Sequence, residues 1–305
     1  MGYIVNLGVF VADTAYRADR APRMGETILG NSFALGPGGK GSNQAVAAAR
    51  LGADIRFLTR LGRDAFADMA LKTWAEAGVT PVVSQSADSY TGAAYIFIEE
   101  TTGENAIIIC PGAAATIAPA DLEAQSALIA GADIFMTQLE QPLDAALRGL
   151  EIAAAAGVTT LLNPAPAADL PAGMLPLCDY VTPNETEAEA LTEVTVESVE
   201  DARRAAEVLL ARGVRKAAIV TLGAQGALYH DGAVSELVPA VQAGPVVETT
   251  GAGDAFNGGF AAALAEGRAP LDAVRFGCAT AGLSVTRSGT APSMPTRAAV
   301  LDLLG

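Results

Sequence analysis

Short runs of β-branched and aliphatic residues alternate with alanine-rich amphipathic stretches along most of this chain, and that order leaves few folds open. Parallel strands need a crossover of a dozen or more residues between them, which a helix supplies, so the alternation specifies a parallel sheet covered by helices. The spacing predicts strands over 3–9, 55–59, 133–139, 158–163, 180–182 and 217–222. The helices expected between them cover 42–51, 65–77, 119–130, 143–156, 185–191 and 199–212. Two segments break the alternation: 26–35, and 90–109, which reads as a hairpin around a Thr-Thr-Gly-Glu turn. Together they are expected to stand off the main sheet as a small lid, formed by about residues 11–35 and 90–110 of a single domain spanning 1–305. The stretch A-P-A-A-D-L-P-A-G at 165–173 reads as a surface loop rather than a domain boundary.

With 305 residues, the chain can bury a sizeable single core. Its formal charge of −15 excludes a protein that grips nucleic acid or an acidic membrane through its overall field. Any anion bound here must be held locally. Cys110, Cys178 and Cys278 are far apart, and His230 is the single histidine, a set that indicates neither a zinc site nor a disulfide framework. The start M-G-Y-I-V-N-L-G-V-F lacks a basic region with a cleavage site. No apolar run approaches the roughly 20 residues of a membrane span, and the reading is of a soluble cytoplasmic protein.

Two glycine-rich segments carry the chemistry. G-P-G-G-K-G at 36–41 formally matches G-x-G-x-x-G, with Asp54 near the separation of a ribose-binding acid, but a dinucleotide fingerprint should follow the first core strand and this one does not. Nor is it a Walker A loop, since Lys40 is followed by glycine. The segment reads either as a tightly packed helix entry or as a floor for a polar ligand made by Gly38, Gly39, Lys40, Gly41 and Asn43. In E-T-T-G-A-G-D at 248–254, Gly251, Ala252 and Gly253 form a turn at the start of a helix expected over 254–266, where amides converge into an anion hole suited to a phosphoryl group. Asp254 at its rim is either a base that accepts an alcohol's proton or an N-cap aspartate.

The segments G-G-K-G-S-N-Q-A-V-A-A-A-R-L-G-A, L-N-P-A-P-A, V-T-P-N-E-T-E-A, V-T-L-G-A-Q-G-A and T-G-A-G-D-A-F-N-G-G resemble, in order and essentially end to end, the ribokinase-like (phosphofructokinase-B-type) carbohydrate kinases. The resemblance implies a three-layer α/β/α domain with a mostly parallel central sheet and a small β-sheet lid. It implies transfer of the γ-phosphate of ATP to a sugar hydroxyl. Ribose is the leading acceptor, with another pentose, a ketohexose or a nucleoside behind it, and a non-catalytic sugar-binding regulator as a remote alternative. Asp254 matches the family's base and Gly251, Ala252 and Gly253 its anion hole. Asp13, Gly39, Lys40, Gly41, Asn43 and Glu140, with Asp254, match sugar contacts. Asn184, Thr221, Leu222, Gly223, Ala224, Gln225, Gly226 and Cys278, with Gly253, Asp254 and Asn257, match positions at the nucleotide. Glu187 matches a residue that handles Mg2+ through water, and it also stands where a capping box begun by Asn184 would place it. Glu248, Thr250, Ser284, Arg287, Gly289 and Ser293 match a loop that binds K+, mostly through carbonyls, and relatives often form homodimers through the lid. Two departures stand out. Val11 replaces the asparagine that ribose-phosphorylating members carry two residues before the sugar-binding aspartate, and Glu248 replaces an aspartate.

Overall fold

Side chains on a strand point alternately to its two faces, so a strand covered on both sides reads as a continuous apolar run. The computed structural model, which describes residues 2–305, turns those runs into the middle of a sheet. Its strands are β1 (Ile4–Leu7), β2 (Val11–Ala18), β3 (Ser32–Gly38), β4 (Ile55–Leu61), β5 (Thr80–Gln85), β6 (Thr91–Glu99), β7 (Asn105–Gly112), β8 (Ile134–Thr137), β9 (Thr159–Leu162), β10 (Tyr180–Val181), β11 (Ala217–Thr221), β12 (Gly226–His230) and β13 (Ser235–Pro239). Nine form the main sheet in the order β13-β12-β11-β10-β9-β8-β1-β4-β5. It is parallel except at β12, which runs antiparallel to both neighbours.

The alternation feeds two cores. Ile4, Ile55, Phe57 and Ile219 point into one, against the helices Lys40–Arg50, Ala65–Ala77, Ala252–Ala265 and Pro270–Ser284. Val5, Leu7, Leu58 and Val220 point into the other, against Leu143–Ala155, Glu185–Thr192 and Val199–Ala211. The result is the expected three-layer α/β/α arrangement. The single tryptophan, Trp74, fixes part of the first layer: its ring meets Phe10 and Phe57 edge-on, and its Nε1 donates to Ser42 Oγ at 2.9 Å.

The remaining strands form a second sheet in the order β3-β2-β6-β7, the lid. The hairpin expected over 90–109 is β6–β7 and extends to Gly112. The expectation for 26–35 holds only at its end. The strand starts at Ser32, and the residues before it form a loop closed by the Arg20–Glu26 ion pair and by Asn31 N–H donating to the Arg17 carbonyl at 2.7 Å. Its hydrogen-bonding partner is β2, at the middle of the lid. The helix expected over 119–130 is broken at Gln125 into Pro119–Ala124 and Ser126–Ala130.

Candidate active site

The helices Lys40–Arg50 and Ala252–Ala265 approach so closely that a Cβ on Gly258 would lie 2.5 Å from that of Ala47. This contact brings residues far apart in sequence onto Asp254. Asn43 Nδ2 donates to Asp254 Oδ2, and Gln44 Nε2 donates to Asp254 Oδ1, each at 3.0 Å. Asp254 is therefore not the N-cap, and the helix does not begin at 254. It begins at Ala252, and Gly251 caps it with φ 84°, a left-handed conformation that glycine adopts without a Cβ penalty. The turn also differs in detail from the expected anion hole, because Ala252 N–H turns back to the Thr249 carbonyl at 3.1 Å. No backbone hydrogen bond is made by the first-turn amides of Gly253 and Asp254, and a Cβ on Gly253 would meet nothing within 4 Å.

The residues that the resemblance matched to sugar contacts assemble around this point. Asp13, on β2, lies over the chain at Gly38, where a Cβ would sit 2.1 Å from its Oδ2. Glu140 Oε2 accepts from Lys40 N–H at 2.8 Å, at the N-terminus of the helix that carries Asn43. Asn43 is 4% exposed, and its Oδ1 is enclosed without a hydrogen-bond partner. Gly39 and Gly41 are buried in the same helix entry, where a Cβ on Gly39 would lie 2.4 Å from the Val9 carbonyl oxygen and one on Gly41 2.6 Å from Gly8 Cα, the tight packing expected of 36–41. Val11 pairs with Gly38 across the lid and packs against Gly92, where a Cβ would lie 2.9 Å from Val11 Cγ1.

Crowding of carboxylates in a poorly solvated cleft sets the protonation here. Burial, then the charges of Asp254 and Glu248, push Asp13 up to about 6. Burial pushes Glu140 up to about 7, against the pull of the Lys40 ammonium. Asp254 is raised by burial and held back by Lys40 and by the Asn43 and Gln44 amides. Burial works to discharge Lys40, but Asp254, Glu140 and Glu187 together outweigh it and keep the ammonium charged.

On the other side, β11 leads into the turn from Thr221 to Gly226, in which Leu222 is buried and Gly223, Ala224 and Gln225 are exposed. Asn184 bridges Thr221 in parallel register. Asn184 also caps the next helix: its Oδ1 accepts from Glu187 N–H at 2.8 Å, while Glu187 Oε2 accepts from Asn184 N–H at 2.9 Å. Burial raises the Glu187 carboxyl. Asn257 links this side to the glycine turn, accepting from Thr182 Oγ1 at 2.6 Å and donating to the Gly253 carbonyl at 2.8 Å. Cys278 lies in the helix Pro270–Ser284, 6% exposed, its thiol pushed up to about 12 by burial; among the described residues no hydrogen bond ties it to the turn. Asp54, the would-be dinucleotide acid, pairs instead with Arg56 beyond the far end of the helix Lys40–Arg50.

The cation-loop positions also converge. Glu248 Oε2 accepts from Gly289 N–H at 2.8 Å, and Val247 and Glu248 N–H both donate to the Val285 carbonyl. The Ser284 and Ser293 hydroxyls turn back onto the carbonyls of Ala281 and Thr290, while Thr250 and Arg287 are exposed. One participant escapes the sequence reading: Gln44. Its only signal is a long amide on an otherwise alanine-rich helix face.

The sequence pattern of the pfkB family carbohydrate kinases matches residues 1–297. Ribokinase of Haemophilus influenzae is 38% identical over 301 residues, covering 98% of this chain and 97% of that protein. Ribokinase of Schizosaccharomyces pombe is 40% identical over 306 residues, covering 96% and 95%. The structure of Arabidopsis thaliana ribokinase complexed with ribose and ATP superimposes with a TM-score of 0.93 at 32% identity, covering 99% of this chain and 98% of that one. With the family pattern, the fold and the order of its glycine-rich segments all in register from end to end, the chain belongs to the pfkB family of carbohydrate kinases.

Proposed function

We propose that the chain is an ATP-dependent ribose kinase that moves the γ-phosphate to the terminal CH2OH and yields ribose 5-phosphate. The observation that carries this reading is Asp254: buried, gripped by two amides, under the charge of the Lys40 ammonium and on a first helical turn whose Gly253 and Asp254 amides make no backbone hydrogen bond. Asp13 and Glu140 hydrogen-bond the sugar's hydroxyls, and the Asn43 amide holds Asp254 beside them. Asp254 takes the proton of the attacking hydroxyl as its oxygen bonds to the γ-phosphorus, and the bond to the ADP oxygen breaks with its electron pair leaving on ADP. The amides of Gly253 and Asp254 meet the charge spread over the transferring group. Thr221–Gly226, Asn184 and Asn257 hold the nucleotide side, largely through backbone.

Mg2+ supplies charge neutralisation on the triphosphate. Glu187 fits a water-mediated role toward it, since only its Oε2 is engaged by the capping bond. Glu248, with the carbonyls of Thr250, Ser284, Arg287, Gly289 and Ser293, makes the all-oxygen set that suits K+. The reading takes 1–305 as one kinase domain. The exposed lid residues Tyr16, Phe33, Leu35 and Tyr95 fit pairing with a second copy. Among the described residues no helix is long and apolar enough to cross a membrane.

The test is ADP release over a panel of ribose, other pentoses, ketohexoses and nucleosides. Ribose-dependent ADP release with a 5-phosphate product is expected. Release with a nucleoside or ketohexose alone replaces the substrate, and release with none of them overturns the reading.

A further inference from the structure

We infer that Gln44, which touches no ligand room, is the residue that positions Asp254, as the last link of a buried amide relay fixed to the ends of three central strands. The inference rests on the reading of Asp254 as the base. Both oxygens of that carboxylate are held, but by different kinds of residue. Asn43 on Oδ2 is 4% exposed and keeps an Oδ1 without a partner. Gln44 on Oδ1 is 0% exposed and has only protein around it.

The relay fixes which way Gln44 faces. Asn6, on β1, donates through Nδ2 to the Gly41 carbonyl at 2.8 Å, so its Oδ1 must accept, and it does so from Gln138 Nε2 at 3.0 Å. The same Gln138 Nε2, just past β8, donates to Gln44 Oε1 at 2.6 Å. Asn163, just past β9, donates through Nδ2 to the Thr182 carbonyl at 3.0 Å, so its Oδ1 must also accept, and it does so from Gln44 Nε2 at 3.0 Å. With its oxygen claimed on one side and an acceptor on the other, Gln44 can present only its NH2 to Asp254. A flipped amide would break three hydrogen bonds at once in a site closed to water.

Two consequences follow for the chemistry. The plane of the carboxylate is set from the sheet rather than by substrate, so the lone pair that takes the proton is aimed before the sugar arrives. The amide also favours the ionised form. Among the charged groups facing Asp254, Lys40 does the same, while Asp13, Glu140 and Glu187 oppose it.

The test measures kcat, the KM of ATP and of sugar, and the acid limb of the kcat/KM profile for Gln44→Met, Gln44→Glu and Gln138→Met, with Asp254→Asn in the same series. Gln44→Met should lower kcat by about tenfold or more, as expected for one hydrogen bond to a charged group, with the KM of ATP within about twofold of the parent. Its acid limb should move to higher pH, because a carboxylate stripped of a donor holds its proton more tightly. Gln44→Glu should move the limb further, since two carboxylates in contact share a proton, and Gln138→Met should move it less, since both bonds to Asp254 remain. A Gln44→Met enzyme that is slow but keeps the parent's acid limb overturns the inference, because a residue that merely supports the fold leaves that limb in place. If both Gln44 variants melt below the assay temperature, Gln138→Met decides, and an unmoved limb there overturns it. Near-parental turnover by Asp254→Asn removes the base reading itself; an inactive Asp254→Asn beside an unmoved Gln44→Met limb leaves that reading standing and refutes only the role of Gln44.

Discussion

The proposed sugar side and the proposed nucleotide side of the cleft are built in opposite ways. On the sugar side, ionisable side chains from β2, the two closely packed helices and the segment after β8 crowd together, and burial pushes Asp13 up to about 6, Glu140 up to about 7, and Asp254 upward. On the nucleotide side, an exposed turn of small residues offers mainly backbone, and the one buried carboxyl, Glu187, is half committed to capping its helix. A buried polar group left without its partner costs about 1–3 kcal/mol, whereas an exposed one turns to water. Single side-chain changes should therefore decide chemistry and acceptor choice on the sugar side, and matter much less where ATP lies.

The largest break in that comparison is expected at Asp254, where the two sides meet. Asp254→Asn retains the shape of the group but cannot accept the attacking hydroxyl's proton, so kcat should fall by a factor on the order of 10² or more, with the KM of ATP little changed. Steady-state kinetics on the purified variant measures this. Turnover close to the parent's would mean that the proton leaves by another route.

Acceptor choice should respond next, at Val11. Its side chain is 4% exposed, pairs with the strand that floors Asp13, and has nothing to offer a hydroxyl. A sugar hydroxyl facing it stays unpaired, which predicts weak ribose binding or a preference for an acceptor that lacks or repositions that hydroxyl. Val11→Asn should lower the KM of ribose by roughly tenfold, the equivalent of one recovered hydrogen bond, without a matching change for an analogue lacking the hydroxyl. An unchanged ribose KM counts against the assignment.

Much of this architecture is legible in the sequence because the central strands are buried on both faces and read as unbroken apolar runs. Three strands of the main sheet escape, and only two of them through partial burial: β12, G-A-L-Y-H, is buried throughout but is five residues long and follows directly on a glycine turn. β5, T-P-V-V-S-Q, is a half-exposed edge, and β13, S-E-L-V-P, buries a single residue fully. At the site, the glycine turn is legible as a turn but not in its register. G-A-G-D is compatible with a helix starting at 252 or 254, and only the left-handed Gly251 and the Thr249 carbonyl decide it. Gln44 is the deeper omission. Its bond to Asp254 joins residues 210 apart, and no local pattern distinguishes an amide that orients a base from one that fills a helix face.

The smallest effect is expected at the cation loop, where the nucleotide side carries its one departure in charge-bearing residues. Glutamate at 248 places its carboxylate a methylene further from the backbone than aspartate would, and metal sites tolerate displacements of only about 0.2 Å. Glu248 Oε2 crosses the loop to accept from the Gly289 N–H at 2.8 Å, so one of its two oxygens is already engaged. A K+ ion here competes with that bond, and potassium activation should be present but weak. The loop runs through Thr250 directly into the Gly251–Asp254 turn, so ordering it should appear in kcat rather than in the KM of the sugar. Glu248→Asp, too short to hold Gly289 in the same way, should free the carboxylate for the ion and lower the potassium concentration for half-activation by a few-fold. Initial rate against potassium chloride, with a bulky organic cation holding ionic strength constant, measures it. Rates indifferent to potassium in both proteins would show that the loop holds itself together through Glu248 and Gly289 and has no need of an ion.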